Sequence, residues 1–122
     1  MKLDRETGPA NLIRGYHRGE LLVGGETLRQ AVILSADTIV RAWSPPAVAE
    51  LGADDLRAAF ALQPDVILLG TGERQVFPPA ALAHDIMSRG VGLEVMATAA
   101  ACRTFNVLAS ENRRVVAALY VD

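Results

Sequence analysis

The chain has 122 residues, the length of one ordinary domain. Fourteen acidic against twelve basic residues leave a net charge of −2, which argues against a nucleic-acid-binding protein with its basic face. Hydrophobic residues are 51% of the chain and charged residues 21%, a composition typical of globular proteins and unlike disordered ones. The single cysteine excludes an internal disulfide and fits a reducing compartment.

Other features of the sequence bear on the compartment. Residues 1–9 lack the apolar segment of a secretory signal and carry two acidic residues, unlike a mitochondrial presequence. No apolar run approaches the roughly 18–20 residues that span a bilayer. Eleven of the twelve basic residues are arginine, which is typical of GC-rich bacterial genomes. We therefore expect a cytoplasmic bacterial protein without membrane insertion, folded as one domain over residues 1–122.

The first half of the sequence predicts antiparallel β-structure. Extended segments are predicted over residues 11–17 and 20–23. A second hairpin is predicted from an apolar strand over residues 31–34 and a partner strand over residues 38–43. Trp43, at the end of that partner strand, marks either an exposed contact patch or a buried strand end.

The second half of the sequence alternates helices with strands. Helices are predicted over residues 54–62, 78–88 and 98–110, and strands over residues 65–69, 92–96 and 114–121. Thr98 is the predicted N-cap of the last helix. Strands joined by helices pair in parallel with right-handed crossovers, so we expect the N-terminal hairpins either to extend this parallel sheet or to form a further layer.

Gly70-Thr71-Gly72 is the first candidate binding site, because it directly follows the buried strand predicted over residues 65–69. Ligands of open α/β sheets sit at the carboxyl ends of strands, and glycines let the backbone approach an anion closely. The segment has neither the third glycine of a dinucleotide-binding loop nor the Gly-Lys-Ser/Thr of a phosphate loop. The alternative is a tight turn in which the glycines adopt positive φ.

The start of the last predicted helix is the second candidate, and its N-terminus falls at the carboxyl end of another strand. Backbone amides at Thr98 and Ala99, together with the helix dipole, favour an anion there. Arg103 would add a bidentate clamp on the same anion. The alternative is that Arg103 pairs with Glu73 or Glu94 and holds the loop to the helix.

No catalytic constellation is found in the sequence. Cys102 shares a helix face with Phe105 and is interpreted as a small core residue, because His17 and His84 fall on other predicted elements and cannot be assigned to activate a thiol. Two histidines and one cysteine give no metal-ligand spacing. The sequence therefore predicts no catalytic residues, no metal and no cofactor.

Four segments, in their order and spacing, resemble a known family. They are Ile13-Arg14-Gly15-Tyr16, Leu68-Leu69-Gly70-Thr71-Gly72, Phe77-Pro78-Pro79 and the run from Ala100 to Leu108. The family is a small α/β domain of unknown function whose eukaryotic members include a mitochondrial complex I assembly factor and an adipogenesis-associated protein. The resemblance covers nearly the whole chain.

The resemblance implies an α/β fold with three layers: a mixed central sheet, helices packed on it and an N-terminal antiparallel β addition. It implies no established catalytic activity, and Ala97 stands where family members often have an aspartate that could transfer a proton. We expect a non-catalytic interaction or assembly protein with a protein partner, resembling respiratory complex I assembly factors. The alternative is a domain that binds a small anion or metabolite through Gly70, Thr71, Gly72, Thr98 and Arg103.

Overall fold

Two β-sheets and three α-helices make up the part of the chain that the computed structural model describes, residues 10–122. The strands are β1 (Ile13–His17), β2 (Glu20–Val23), β3 (Glu26–Leu28), β4 (Val32–Leu34), β5 (Ile39–Val40), β6 (Val66–Gly70), β7 (Gly92–Met96) and β8 (Val115–Leu119). The α-helices are α1 (Arg57–Ala61), α2 (Ala80–Ser88) and α3 (Thr98–Ser110), with short 3-10 helices at Val48–Glu50 and Ala53–Leu56.

The larger sheet is mixed, with five strands in the order β5-β4-β8-β6-β7. Strand β8 lies at its centre. Next to it, β6 pairs in parallel with both β7 and β8, so that Ile67 is opposite Leu93 on one side and Val116 on the other. Strand β4 pairs antiparallel with β8 and with β5. The predicted parallel pairing of the last three strands is therefore confirmed, and the second N-terminal hairpin extends the same sheet.

The central sheet has an apolar core on each face, because its strands alternate their side chains between two covering layers. On one face, Ile67 and Leu69 of β6 pack with Leu82 and Ile86 of α2 and with residues of α1. On the other face, Leu68 packs with side chains of α3 and of the small sheet. The expected three-layer α/β fold with an N-terminal β addition is confirmed.

The small sheet, in the order β1-β2-β3, lies beside α3 and covers the same face of the central sheet. Asn106 of α3 joins this helix to the small sheet. Its side-chain amide forms the two hydrogen bonds to β1 that a neighbouring strand would otherwise form. Its Oδ1 accepts the Ile13 N–H at 2.8 Å, and its Nδ2 donates to the Ile13 carbonyl at 2.8 Å. Both backbone groups of a buried strand residue are thereby satisfied by one helical side chain.

The observed strands differ from the predicted ones at several ends. Strand β3 was not predicted, because the three residues Glu26–Leu28 are too short and too polar to show alternation. The predicted strand over residues 38–43 is reduced to Ile39–Val40, and the extended backbone ends at Ala42, which adopts a left-handed conformation with a φ of 58°. The last strand ends at Leu119 and not at Val121.

The predicted helix over residues 54–62 begins as a 3-10 turn, and only Arg57–Ala61 is α-helical. Pro78 and Pro79 precede α2 and lie outside its first turn, with Pro79 as the N-cap. Helix α3 has its predicted bounds, but its N-cap is Ala97 and not Thr98, which is the first helical residue.

Trp43 is half-buried and belongs to the apolar layer under α1, which resolves the two alternatives for it in favour of packing. Its ring meets that of Tyr120 edge to face, with centroids 5.5 Å apart and an interplanar angle of 67°. The indole Nε1–H donates to the Asp55 carbonyl at 2.8 Å, so the polar end of the ring is satisfied as well.

We predict that Asn106→Ala lowers the free energy of unfolding by about 2 kcal/mol, because the Ile13 N–H and carbonyl both lose their partner. The measurement is urea unfolding followed by circular dichroism, with Ser110→Ala as the control, since Ser110 is exposed on the same helix. A loss no larger than that of the control would show that Asn106 does not hold β1 in place.

Candidate functional site

The carboxyl ends of β6, β7 and β8 meet at the first residue of α3, Thr98. This side chain is completely buried. Its hydroxyl accepts the Gly72 N–H at 2.8 Å and donates to the Tyr120 carbonyl at 2.7 Å, while the Thr98 N–H donates to the Gly72 carbonyl at 2.8 Å. Thr98 thus joins the segments that follow β6 and β8 and uses its own hydrogen-bonding groups to do so.

Two glycines allow this close approach. A side chain on Gly70 would place its Cβ 2.7 Å from Leu119 Cδ2 and 3.1 Å from the Thr98 Cα, so no larger residue fits between β8 and α3. Gly72 has a φ of +97°, in the region that favours glycine, and a Cβ there would lie 2.5 Å from Asp122 Oδ1. The turn alternative for these glycines therefore has a specific physical basis.

Thr71 organises the loop that leads from β6 to α2. Its hydroxyl donates to the Arg74 carbonyl and accepts the Val76 N–H at 3.0 Å, and its backbone N–H donates to the Met96 carbonyl at 2.9 Å. The side chain is buried, with 7% of its surface exposed. Thr71 is therefore an internal support of the loop.

Arg103 is exposed, unlike the other predicted site residues. Among residues 10–122, no ion pair joins Arg103 to Glu73 or Glu94; Glu73 pairs instead with Arg18, at 3.3 Å. The structure thus brings Gly70, Thr71, Gly72 and Thr98 together as one bonded cluster, and no hydrogen bond of the described residues joins Arg103 to it.

Asp122 lies beside this cluster of Gly70, Thr71, Gly72 and Thr98. Asp122 places its carboxylate beside Gly72, and its backbone carbonyl accepts the Tyr16 hydroxyl at 2.7 Å. Burial raises the pKa of Tyr16, and the neighbouring Asp122 adds to the rise. A bound anion would meet a carboxylate and an amide cluster that is already satisfied, so anion binding by these residues stays a prediction from the sequence.

Two cavities of the described residues lie away from this cluster. One of about 310 Å³ lies between the β4–β5 turn and the end of α3, with Asp37, Asn112 and Arg113 in its wall. Another of about 420 Å³ lies where α1 and α2 end, beside Phe60 and Arg89. The Arg89 guanidinium stacks on the Phe60 ring 4.3 Å from its centroid and pairs with Asp85 at 3.2 Å.

Cys102 lies in the core between α3 and the small sheet, as predicted, with 6% of its surface exposed. Burial raises the pKa of its thiol to about 12, although the neighbouring Arg103 acts in the opposite direction. At neutral pH the sulfur is a protonated, apolar group, which is unlike the thiolate of a reactive cysteine.

Sequence reasoning missed Asn106 and Gln75, which have long-range structural roles. Gln75 Nε2 donates to the Val95 carbonyl at 2.8 Å, and this bond connects the loop after β6 to the outer edge of β7. Asn106 lies inside a helix, where asparagine is disfavoured. An asparagine at such a position is the one feature of the sequence that could have indicated a specific structural role. Gln75 gives no such signal.

Within residues 10–122, no group of three or more histidine, cysteine, aspartate or glutamate side chains could hold a metal ion. No helix in the same part of the chain combines the length and apolar character needed to cross a membrane.

Comparison with known families and curated proteins gives relatives over most of the chain. The family model described as "Protein of unknown function (DUF498/DUF598)" matches residues 13–120. The chain is 31% identical over 101 residues to the "13 kDa major membrane protein" of Francisella tularensis, covering 82% of each. It is 29% identical over 119 residues to "NADH dehydrogenase [ubiquinone] 1 alpha subcomplex assembly factor 3" of Danio rerio, covering 96% of this chain and 68% of that protein.

Solved structures with the same fold are also similar in sequence. A Xanthomonas campestris protein determined by NMR is 45% identical, with a TM-score of 0.81 over 89% of this chain and 83% of that one. A Bordetella pertussis protein described as a Mth938-like domain is 29% identical, with a TM-score of 0.81 over 100% of this chain and 93% of that one. These likenesses agree with the mixed α/β architecture.

We predict that Thr98→Val lowers the free energy of unfolding by about 2 kcal/mol, since the Gly72 N–H and the Tyr120 carbonyl are left without a partner. Thr98→Ser keeps the hydroxyl and should lose less. Arg103→Ala, at an exposed position, should stay within about 0.5 kcal/mol of wild type. Urea unfolding measures all three, and equal losses for Thr98→Val and Thr98→Ser would contradict a role for the hydroxyl.

We predict that Cys102 reacts with Ellman's reagent at pH 8 only when the protein unfolds. With a pKa of about 12, the folded thiol has a thiolate fraction on the order of 10⁻⁴ at that pH, against about a quarter in an unfolded chain. The measurement compares absorbance traces in buffer and in guanidinium chloride. Rapid labelling in buffer, at a rate independent of denaturant, would show that the sulfur is accessible and ionised.

Proposed function

Because the chain belongs to the DUF498/DUF598 family of proteins of unknown function, we propose that it is a non-catalytic interaction protein that assists the assembly of a respiratory complex. The observation that carries this proposal is its similarity to assembly factor 3 of the NADH dehydrogenase 1 alpha subcomplex. The match to the Danio rerio factor extends over 96% of this chain, and the Homo sapiens factor is 28% identical over the same share.

The use of polar groups inside the fold supports an interaction role. The hydroxyls of Thr71 and Thr98 and the amide of Asn106 are bonded to the backbone. Strand ends that carry ligands in other α/β proteins are here joined to one another and lie beside Asp122. These polar side chains hold elements of the fold in place.

The surface supports the same proposal, because it exposes large apolar side chains in a loop that is held by hydrogen bonds. Phe77 has 70% of its surface exposed, and Val76 beside it has 42%. Both lie in the loop that Thr71 and Gln75 fix by hydrogen bonds. Phenylalanine is among the aromatic residues that are enriched at protein interfaces relative to the rest of the protein surface.

The proposed compartment is the cytoplasm. The reducing environment fits Cys102, which is free and buried. A protein that assists a respiratory complex from this side would act on subunits or peripheral modules that face the cytoplasm.

We predict that the chain, tagged and expressed at its native level in its own organism, co-purifies with subunits of a respiratory NADH dehydrogenase. Mass spectrometry identifies the recovered proteins, and a blue native gel compares the amount of assembled complex with and without the gene. A tagged unrelated protein of similar size is the control. Recovery of the chain alone under gentle conditions, with an unchanged amount of complex in the deletion strain, would overturn the proposal.

A further inference from the structure

Strand β7 forms one outer edge of the central sheet, and its far side faces away from every strand of the described part of the chain. It pairs with β6 alone, over all five residues from Gly92 to Met96. An edge of this length presents a row of backbone groups that can accept a further strand. The opposite edge, β5, offers only two residues.

The backbone of β7 shows which groups face outward. The Gly92 N–H donates to the Asp65 carbonyl, and the Met96 carbonyl accepts the Thr71 N–H, so both residues are directed toward β6. Residues one position out of phase direct their N–H and carbonyl to the other side. Leu93 and Val95 therefore carry the outward-facing donors and acceptors of this edge.

Gln75 confirms this phase, because its side-chain amide already bonds to the outward carbonyl of Val95 at 2.8 Å. It occupies the position that the N–H of an added strand would take. The N–H and carbonyl of Leu93 and the N–H of Val95 remain for an incoming segment, and the exposed Val76 and Phe77 adjoin Gln75 in the chain.

Glu94 sets the charge of the edge. It lies between Leu93 and Val95, is exposed, and forms no ion pair with the other described residues. In a two-fold pairing of β7 with a second copy, the register that bonds Leu93 to Val95 on both sides would place two Glu94 carboxylates directly opposite. Like charges in that position destabilise a pair, and an opposite charge stabilises it, so the charge favours a different chain with a basic residue.

We propose that the outer edge of β7 binds an extended segment of a partner protein, which pairs antiparallel with Leu93 and Val95 and carries lysine or arginine opposite Glu94. Backbone hydrogen bonds supply the affinity in this mode of recognition, and the side chains supply specificity. The inference rests on the proposed interaction function and names the surface that would perform it.

Two synthetic peptides test the surface directly: acetyl-Thr-Val-Thr-Lys-Thr-Val-Thr-amide and the same peptide with a central glutamate. Each is titrated into the ¹⁵N-labelled full chain and followed by two-dimensional NMR. The lysine peptide should shift the amides of Leu93 and Val95 most, with an affinity about threefold higher than that of the glutamate peptide.

Charge reversal at the edge should reverse this preference. Glu94→Lys should bind the glutamate peptide more tightly than the lysine peptide, whereas Glu111→Lys, an exposed position after α3, should keep the wild-type order. Because both substitutions change the net charge equally, the comparison separates a local charge pair from a general electrostatic effect. Glu94 is exposed, and the unchanged spectrum of the rest of the chain shows that the variant is folded.

Three outcomes would overturn the inference. The first is an absence of shifts at Leu93 and Val95 at millimolar peptide, and the second is an equal response of Glu94→Lys and Glu111→Lys. The third is a concentration-dependent shift of the same amides without peptide, which would make the occupant a second copy of the chain. None of these results affects recovery of respiratory subunits with the tagged chain, so failure of the edge and failure of the assembly role are distinguishable.

Discussion

The fold depends on the buried hydroxyl of Thr98, which bonds two strand ends at once. It accepts from the segment after β6 and donates to the residue after β8, so the start of α3 is fixed against the middle of the central sheet. A hydrogen bond in such an environment is stronger than in water, and an unmade one is costly. The position of α3 in turn determines where the small sheet can lie, since Asn106 on that helix holds β1.

Glycine at position 70 is the steric counterpart of this arrangement. Its Cα passes so close to α3 that an added Cβ would lie 3.0 Å from the Thr98 hydroxyl oxygen itself. A glycine and a threonine that bring backbones together look the same in a sequence as a glycine and a threonine that bring a backbone to a phosphate. The candidate anion site of the sequence and the structural junction of the fold use the same residues for this reason.

Elements with strong local signals were predictable. Strand β7 and helix α3 have their predicted bounds, because a glycine-flanked apolar run and a 3.6-residue apolar period are properties of neighbouring residues. The early end of β5 was not predictable, since Ala42 adopts a positive φ without the glycine or asparagine that usually marks one.

Contacts between distant segments left little trace in the sequence. The bonds from Asn106 to Ile13 span 93 positions, and only the folded chain brings the two residues together. The same limit applies to the candidate site. The predicted order of strands and helices placed the segments after β6 and β7 side by side, and Gly72 and Thr98 are indeed hydrogen-bonded. The predicted anion clamp by Arg103 depended on the direction of its side chain, which the spacing of apolar residues does not determine.

The edge strands of the two sheets are not equivalent, and this difference limits the edges to which a partner strand could be added. The outer side of β1 is occupied at Ile13 by Asn106, and β5 is cut short where the backbone turns at Ala42. Strand β3 has three residues. Strand β7 is longer than β3 and β5, and instead of a bulge or a proline it carries one glutamate and one glutamine contact. Like charges directly opposite each other destabilise a strand pair, and opposite charges stabilise it. The glutamate of this edge therefore favours a basic partner strand over a second copy of β7 in the register that places two Glu94 side chains opposite each other.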